Sequence, residues 1–201
     1  MINKLTISYV DYLIDKEALT EDEREWYVYG LETAISKAIT YFSIALVGII
    51  FNIFIHAFVY SVLLTLLRGR TGGYHAGSHL RCYLLSVGSF VISAFAACML
   101  SPSMTLPLII ISLTGSILTV FLFAPVNHPN VNMSAEEIST SRKQAIIIVV
   151  VESVAVVVIS YLGVHNSVIN IACLSLLTAS IFIVFAKLFK QEVTKDEEKI
   201  G

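Results

Sequence analysis

The residue types best suited to covalent chemistry lie together in residues 68–82, with the sequence Arg-Gly-Arg-Thr-Gly-Gly-Tyr-His-Ala-Gly-Ser-His-Leu-Arg-Cys. These residues include three arginines, two histidines, four glycines and one cysteine. A cysteine attacks as the thiolate, which neighbouring positive charge or a helix N-terminus favours. A histidine within reach supplies the base, and glycines let the backbone turn sharply or approach a peptide closely. The pattern predicts that Cys82 is a nucleophile and that a nearby histidine is its base.

The same segment allows three simpler interpretations. Arginines and glycines at a membrane surface often form only a turn with anchoring side chains. His75, His79 and Cys82 stand at i, i+4 and i+7, the spacing of a zinc site on one helical face, but no fourth ligand is obvious and the glycines disfavour a continuous helix. In the third interpretation, Cys82 is only a small apolar residue at the start of a span. We expect Cys98 and Cys173, which have apolar surroundings, to be apolar residues of this kind. We favour the thiol nucleophile, with no metal and no cofactor.

Formal charge is scarce and unevenly distributed along the chain. Charged residues make up 14% of the 201 residues, hydrophobic residues make up 56%, and the mean hydropathy is +0.80. Residues 38–67 and 82–135 carry no formal charge, and residues 144–186 carry only Glu152. A bilayer span needs about 20 apolar residues, whereas a soluble core helix does not need such long runs. The distribution predicts an all-α polytopic integral membrane protein and excludes an ordinary soluble enzyme.

The remaining composition excludes two further classes of protein. A net charge of −2 gives no electrostatic footprint for binding nucleic acid. Three cysteines, two of them inside apolar runs, do not indicate a disulfide framework. No segment resembles a linker between folded units, so we expect a single membrane domain without a nucleic-acid partner.

Four membrane spans are clear, at residues 83–101, 107–123, 145–163 and 168–186. Turns at residues 102–106 and 164–167 close them into two helical hairpins, and neither turn contains Lys or Arg. The opposite ends carry the basic residues Arg68, Arg70, Arg81, Arg142, Lys143, Lys187, Lys190, Lys195 and Lys199. Basic loops face the cytoplasm. The 68–81 loop, the 124–144 loop and the C-terminal tail are therefore predicted to be cytoplasmic.

Residues 38–67 form an apolar segment that is too long for a simple span. As one helix it would be about 45 Å long, whereas the hydrocarbon core is about 30 Å thick. A single span would also place the basic residues of the N-terminus outside the cell. Asn52 and His56 near its middle allow a broken or re-entrant hairpin instead, which returns the N-terminus to the cytoplasm. We favour the hairpin over the single span.

The two ends of the chain are predicted to lie outside the membrane core. Residues 1–37 contain eight acidic and four basic residues and show apolar residues at helical spacing, so we expect amphipathic interfacial helices that contact both the bilayer and the protein. Thr20 followed by Glu23 has the form of a capping box. The predicted organisation is therefore N-terminal helices at 1–37, a membrane domain at 38–186 containing the 68–82 loop, and a charged tail at 187–201.

These features resemble the accessory gene regulator B (AgrB) family, membrane peptidases that process quorum-sensing propeptides in Gram-positive bacteria. The resemblance rests on Arg68, the pair Gly72 and Gly73, His75 followed by Ala76, and Cys82 seven residues after that histidine. Residues 124–130, with the sequence Ala-Pro-Val-Asn-His-Pro-Asn, resemble the family's short proline-containing loop after a span. Chain length and hydrophobic layout agree with the family over nearly the whole chain.

The resemblance implies a cysteine endopeptidase with Cys82 as nucleophile and His75 as its base. Family members cut a small amphipathic AgrD-like propeptide at the C-terminal side of the future signal and retain the signal as a thioester. A cysteine of the substrate then closes a thiolactone, or a serine closes a lactone, to give the autoinducing peptide. The resemblance also implies a multi-pass protein of a Gram-positive cell membrane with its catalytic loop at the cytoplasmic face. The sequence leaves a homodimer open.

Spacing and resemblance favour different histidines as the base. In a continuous helix, His75 would lie about 10 Å along the axis from Cys82, whereas His79 is one turn away. The resemblance favours His75, and Gly77 together with the upstream glycines allows the loop to fold back. We therefore predict His75 as the base and keep His79 as the alternative.

Four further residues are candidate supporting groups. Arg68 either holds the substrate backbone or an acidic propeptide tail, or anchors to lipid headgroups. Gly73 belongs to the Gly-Gly pair, and Ser86, one turn after Cys82, either donates to an oxyanion or bonds its own helix. Glu152 is the single acid within a predicted span, so it either faces a polar interior or lies near the cytoplasmic surface.

A non-enzymatic function is the rival interpretation. In it, the chain is a small membrane transporter or scaffold whose histidines are metal ligands or pore residues. Replacing Cys82 discriminates between the two, because a transporter would be largely indifferent to that change.

Overall fold

The structure, a computed structural model, describes residues 2–16, 18–73, 78–127 and 133–190. Its α-helices are α1 Ile2–Asp15, α2 Arg24–Ile50, α3 Phe54–Thr71, α4 His79–Met99, α5 Pro102–Phe123, α6 Ala135–Tyr161 and α7 Asn166–Leu188. A short 3-10 helix, Glu21–Glu23, precedes α2, and the described residues contain no strand. Five helices, α2 and α4 to α7, are long and apolar enough to cross a membrane. The predicted all-α, multi-pass membrane architecture is confirmed.

Residues 38–67 form the predicted broken hairpin rather than one span. Helix α2 ends at Ile50, Asn52 adopts a positive φ of 56°, and α3 begins at Phe54. The Ile53 N–H donates to the Gly48 carbonyl at 2.8 Å and closes the turn. Gly48 also permits the two helices to pack closely, because a Cβ there would lie 2.7 Å from the Ala57 Cβ. Helix α2 itself starts at Arg24 and continues through position 37 without a break.

The N-terminal helix packs against the first half of α2. Arg24 and Asp11 form an ion pair at 2.8 Å, and the Asn3 side-chain amide donates to the Glu32 carboxylate at 2.6 Å. Val10 is fully buried in this contact region. The Thr20 N–H donates to the Glu23 carboxylate at 3.0 Å, as expected for the predicted capping box.

Two helices, α5 and α6, begin well before their predicted starts. The sequence predicts a turn at residues 102–106, but α5 begins at Pro102. Proline is tolerated in the first turn of a helix, because a backbone N–H there has no hydrogen-bond partner within the helix. The connection between α4 and α5 is therefore only residues 100–101. Helix α6 begins at Ala135 rather than 145, because Ser134 and Glu137 form a capping box well before the apolar run.

Helix α7 is the centre of the bundle and packs against α3, α4, α5 and α6. Residues on several of its faces are buried, including Ile171, Cys173 and Ile183 at 0% exposure. A helix that is apolar on all sides is stable only when other helices or lipid surround it. The surrounding helices instead bury one stripe and expose large apolar residues outward, as lipid-facing helices do.

The loops separate into two groups at opposite ends of the bundle. At the end that we call the cysteine end, Gly72 lies against Val126, and Gly73 lies against Phe182 near the end of α7. At the other end, which we call the histidine end, His56 contacts Ser167, and the Asn170 amide donates to the Ala97 carbonyl at 3.3 Å. The cysteine end thus gathers residues 68–73, the start of α4, the start of the 124–134 connection and the end of α7. The predicted cytoplasmic loops therefore share one end.

Candidate active site

Cys82 lies in the first turn of α4 at the cysteine end. Ser78 caps this helix: its backbone is extended, and its hydroxyl accepts from the Arg81 N–H at 3.3 Å. The Cys82 N–H donates to the Ser78 carbonyl at 3.0 Å, and the residue is half-buried. A helix N-terminus carries a partial positive charge that favours an anion. The helix start therefore places this thiol in the first turn of α4 and leaves it partly exposed.

Arg68 is held beside the cysteine by aromatic stacking. Its guanidinium lies over the Phe182 ring, with the central carbon 4.7 Å from the ring centroid. Gly73 lies next to this side chain, since a Cβ at that position would make an ordinary contact of 3.7 Å with the Arg68 Nε, and its φ of 141° favours glycine. The guanidinium is close enough to Cys82 to interact electrostatically with a thiolate there. A fixed positive charge thus accompanies the thiol.

The loop after α3 is seated on the proline-containing loop after α5. Gly72 has a φ of 67°, a conformation that favours glycine, and a Cβ there would lie 2.8 Å from the Val126 carbonyl oxygen. The Val126 N–H donates to the Thr71 carbonyl at 2.9 Å. Ala124, Pro125 and Val126 are buried. The two loops that the family resemblance singled out therefore form one packed unit.

Hydroxyl contacts tie α2, α3 and α4 together behind the cysteine. The Tyr83 hydroxyl donates to the Ser43 hydroxyl at 3.1 Å and joins α4 to α2 in the residue next to Cys82. The buried Tyr60 of α3 donates to Ser89 of α4 at 2.9 Å. These side-chain bonds restrict the position of the first turns of α4.

Both candidate bases fall where their side chains are not described. His75, with Gly77, lies in residues 74–77, outside the described residues. His79 is the first residue of α4, so its backbone is one turn before Cys82, but its side chain is likewise not described. The choice between the two histidines stays a prediction.

The other predicted supporting residues differ in how near they lie to the cysteine. Gly73 is buried against Phe182, and Ser86 is half-buried one turn beyond Cys82 on the same face of α4. Arg70 and Arg81 are exposed, as anchoring side chains would be.

Glu152 is separate from the group around Cys82. Arg142 donates to the Phe121 carbonyl at the cysteine end, so Glu152, ten residues later, lies about 15 Å deeper in the bundle. The carboxylate is 3% exposed, and neither oxygen has a hydrogen-bond partner among the described residues. It thus faces the bundle interior rather than the surface.

The remaining cysteines behave as apolar residues. Cys173 is buried in α7, and Cys98 is exposed on the outer surface of α4 among lipid-facing side chains. Within the described part of the chain, no three His, Cys, Asp or Glu side chains are grouped to hold a metal ion. The zinc interpretation of His75, His79 and Cys82 falls outside that description and stays a hypothesis.

Comparison with known proteins agrees with these observations. The sequence model of the family described as "Accessory gene regulator B" matches residues 7–185. A curated protein of Clostridium perfringens (strain 13 / Type A), named "Putative AgrB-like protein 2", is 27% identical over 161 residues, which is 77% of this chain and 75% of that protein. No solved structure matches the chain.

Proposed function

Because the chain belongs to the accessory gene regulator B family, we propose that it is a membrane-embedded cysteine endopeptidase with Cys82 as its nucleophile. Membership of the family indicates a role in autoinducing peptide maturation, and five helices are able to span the membrane. The observation that carries the proposal is the half-buried Cys82 in a capped first turn, with the Arg68 guanidinium within electrostatic range. Arginine and a helix N-terminus are two known means of favouring a thiolate.

The proposed reaction has two acyl transfers. The Cys82 sulfur attacks the carbonyl at the C-terminal side of the future signal, and His75 accepts the thiol proton. His75 then returns that proton to the leaving amine, the tail departs, and the signal remains bound as a thioester. A cysteine thiol of the substrate attacks this thioester, giving its proton to the base, and Cys82 leaves as thiolate. The product is a thiolactone, or a lactone if the substrate supplies a serine.

The first acyl transfer needs help that the second does not. Exchange of one thioester for another has a reaction free energy near zero, whereas formation of a thioester from an amide has an unfavourable one. Removal of the released tail helps to drive the reaction, and water must be kept from the intermediate. A half-buried thiol suits this need better than a fully exposed one.

We assign Arg68 the role of holding negative charge at the site. Its position over Phe182 fixes the guanidinium, and its electrostatic reach to Cys82 allows it to stabilise the thiolate or an acidic propeptide tail. Gly73 contributes through its φ of 141°, which favours glycine and sets the direction of the backbone beside that side chain. Ser86 is the proposed donor to the tetrahedral oxyanion, since it lies on the same face of α4 as Cys82.

The N-terminal helices are the proposed docking region for the amphipathic leader of an AgrD-like propeptide. Polar contacts of Asn3 and Asp11 hold α1 against α2, while Leu5, Tyr9 and Tyr12 stay exposed. Replacing those three exposed residues with serine leaves the anchoring contacts intact. We expect this variant to process a leader-bearing propeptide poorly although it accumulates normally. Full processing by the variant would contradict the proposed docking role of the N-terminal helices.

Processing of a co-expressed propeptide tests the enzymatic proposal. The propeptide is a short AgrD-like sequence, and the product is identified by mass spectrometry. We expect Cys82→Ser to abolish processing while membrane insertion is preserved, and Cys98→Ser, on the outer surface of α4, to process normally. Normal processing by Cys82→Ser would favour the transporter or scaffold interpretation.

The identity of the base is tested by single histidine variants. We expect His75→Ala to abolish formation of the acyl-enzyme and His79→Ala to reduce it only in part. The reverse result, with loss only in His79→Ala, would transfer the role of base to His79.

The proposed orientation places the cysteine end in the cytoplasm of a Gram-positive cell. The support is the gathering of Arg68, Arg70, Arg81, Arg142 and Lys187 at that end, because basic residues accumulate at cytoplasmic ends. The propeptide would then enter from the inner leaflet. A homodimer is compatible with this orientation.

A further inference from the structure

A cleft of about 610 Å³ opens at the histidine end, where α2 turns into α3 and α6 turns into α7. Its polar lining residues are Asn52, His56, His165 and Ser167, and the rest of the lining is apolar. The cleft lies at the opposite end of the bundle from Cys82, so the proposed peptidase mechanism does not use it. Two imidazoles in one open cleft are potential ligand-binding groups.

The two imidazoles converge on a single point. The His56 Nε2 lies 2.9 Å from the Ser167 hydroxyl oxygen, and the His165 Nδ1 lies 2.9 Å from the same atom. His56 comes from the first turn of α3, whereas His165 is the N-cap of α7. Residues 111 positions apart in the chain therefore direct one ring nitrogen each to the same place.

The ring nitrogens are suited to act as ligands. The His165 Nδ1 accepts from the Ser167 backbone N–H at 3.4 Å, so it presents a lone pair. The Ser167 hydroxyl has one proton to donate, so acceptance by the His165 Nδ1 leaves the His56 Nε2 as donor to that hydroxyl. The His56 Nδ1 is buried without a hydrogen-bond partner among the described residues, and the ring proton is able to move to it when a cation binds. A neutral His56 can therefore present its Nε2 lone pair toward the same point.

We propose that His56 and His165 bind a divalent transition-metal cation of the Zn²⁺ class, which bridges α3 to α7. Zinc binds imidazole nitrogen at about 2.0–2.1 Å, so each nitrogen needs to move less than an ångström toward the point that the Ser167 hydroxyl now marks. Rotation of the Ser167 side chain vacates that point. Water in the open cleft completes the coordination.

The lining of the cleft selects the class of cation. Ca²⁺ and Mg²⁺ require several oxygen ligands, usually carboxylates, and no carboxylate lines the cleft. Imidazole suits Zn²⁺, Cu²⁺ and Ni²⁺. The bridge would fix the two helices whose opposite ends carry Arg68 and Phe182, which stack at the cysteine end.

Metal binding by purified, tag-free full-length protein tests this proposal. Titration with Zn²⁺ is expected to show one equivalent bound, and His56→Ala or His165→Ala is expected to weaken binding by roughly tenfold or more, since each removes one of two strong donors. The matched control is Ser167→Ala, which keeps both imidazoles and is expected to bind Zn²⁺ at least as well. Binding of the same strength in both histidine variants would overturn the proposal.

Cobalt separates this site from the alternative at His75, His79 and Cys82. Co²⁺ bound by His56 and His165 is expected to show no thiolate-to-cobalt charge-transfer band and to be unaffected by Cys82→Ala. A thiolate band, or loss of binding in Cys82→Ala, would place the metal at the cysteine end instead. If a histidine variant misfolds, the melting temperatures of the wild type and of Ser167→Ala are measured with and without Zn²⁺. We expect Zn²⁺ to raise both, and no rise in either protein would contradict the proposal. None of these readouts depends on propeptide processing.

Discussion

At the scale of single residues, the candidate site depends on a few side chains that position each other. Phe182 stacks on Arg68, Gly73 turns the backbone beside the guanidinium with a φ of 141°, and Ser78 caps the helix that begins before Cys82. Each contact restrains a group whose own chemistry is simple. The reactivity that we propose for Cys82 follows from this arrangement rather than from the cysteine alone.

Arg68→Lys tests the importance of the planar guanidinium. Lysine keeps the charge but loses the planar stack on Phe182, and cation–π contacts of this kind contribute about 0.5–2 kcal/mol. We expect the initial rate of propeptide cleavage to fall by about 2- to 30-fold. Arg70→Lys, at an exposed position two residues later, is the control and is expected to change little. Equal effects of the two variants would show that only charge matters.

Gly72→Ala tests the seating of one loop on the other. Alanine at a φ of 67° is strained, and its Cβ would lie 2.8 Å from the Val126 carbonyl oxygen. Strain of this kind costs about 1–3 kcal/mol. We expect cleavage to fall about tenfold or more as the loop shifts, because small displacements of reacting groups are costly. Gly88→Ala, where a Cβ meets nothing within 4 Å, serves as the control. Normal cleavage by Gly72→Ala would contradict the proposed loop seating.

Some residues of the site were predictable and some were not. Cys82 and Arg68 stood out in the sequence because charged and nucleophilic residues are rare between apolar runs. Phe182 gave no signal, since it is one of many apolar residues in a span and only the fold brings it to Arg68. His165 was likewise unremarkable until the fold placed it beside Ser167 and His56.

At the scale of elements, the hairpin of α2 and α3 is the feature that determines how the other helices are placed. Its turn depends on Asn52 with a positive φ and on Gly48, which permits close helix packing. The sequence predicted a break near Asn52 because 30 apolar residues exceed the thickness of one bilayer core. The capping box at Thr20 and Glu23 predicted a helix start near Arg24. The sequence did not predict that this helix would continue through position 37 into the apolar segment, since the polar residues of its first turns hide that continuity.

Gly48→Ala tests the close approach of α2 and α3. The added Cβ would lie 2.7 Å from the Ala57 Cβ, and overpacking of this kind typically costs about 1–3 kcal/mol. We expect a lower melting temperature for the purified protein in detergent. Gly30→Ala, in the same helix with nothing within 4 Å of the new Cβ, is expected to be neutral or slightly stabilising. A melting temperature that does not fall in Gly48→Ala would mean that the helices are farther apart.

The helix ends were less predictable than the helices. Hydropathy marks where a span is apolar, but caps mark where a helix starts. Ser134 and Glu137 extend α6 by ten residues beyond its predicted start, and Pro102 begins α5 where a turn was expected. Both extensions follow from local capping and proline geometry that a hydropathy pattern does not register.

At the scale of the whole molecule, the chain separates its polar chemistry into two ends around the buried helix α7. The cysteine end holds Cys82 and the arginines, and the histidine end holds the proposed metal site. The asymmetry of Lys and Arg predicts that the cysteine end faces the cytoplasm. The described contacts agree that the loops concerned share one end of the bundle.

Cysteine labelling in intact cells tests this orientation. In a background without native cysteines, Gly30→Cys is expected to resist a membrane-impermeant maleimide until the cells are permeabilised. Ser101→Cys, in the exposed connection at the histidine end, is expected to react from outside. Labelling of Gly30→Cys from outside would show that the N-terminal half has the opposite orientation and would contradict the hairpin arrangement in the membrane.

The central claim, that the Cys82 sulfur carries the signal as a thioester, is tested most directly by intact-mass spectrometry of the protein purified after co-expression with its propeptide. We expect an added mass equal to the signal segment, sensitive to hydroxylamine, located on Cys82, present in Cys98→Ala and missing in Cys82→Ala. An adduct that persists in Cys82→Ala, or a mature peptide formed by that variant, would contradict the claim.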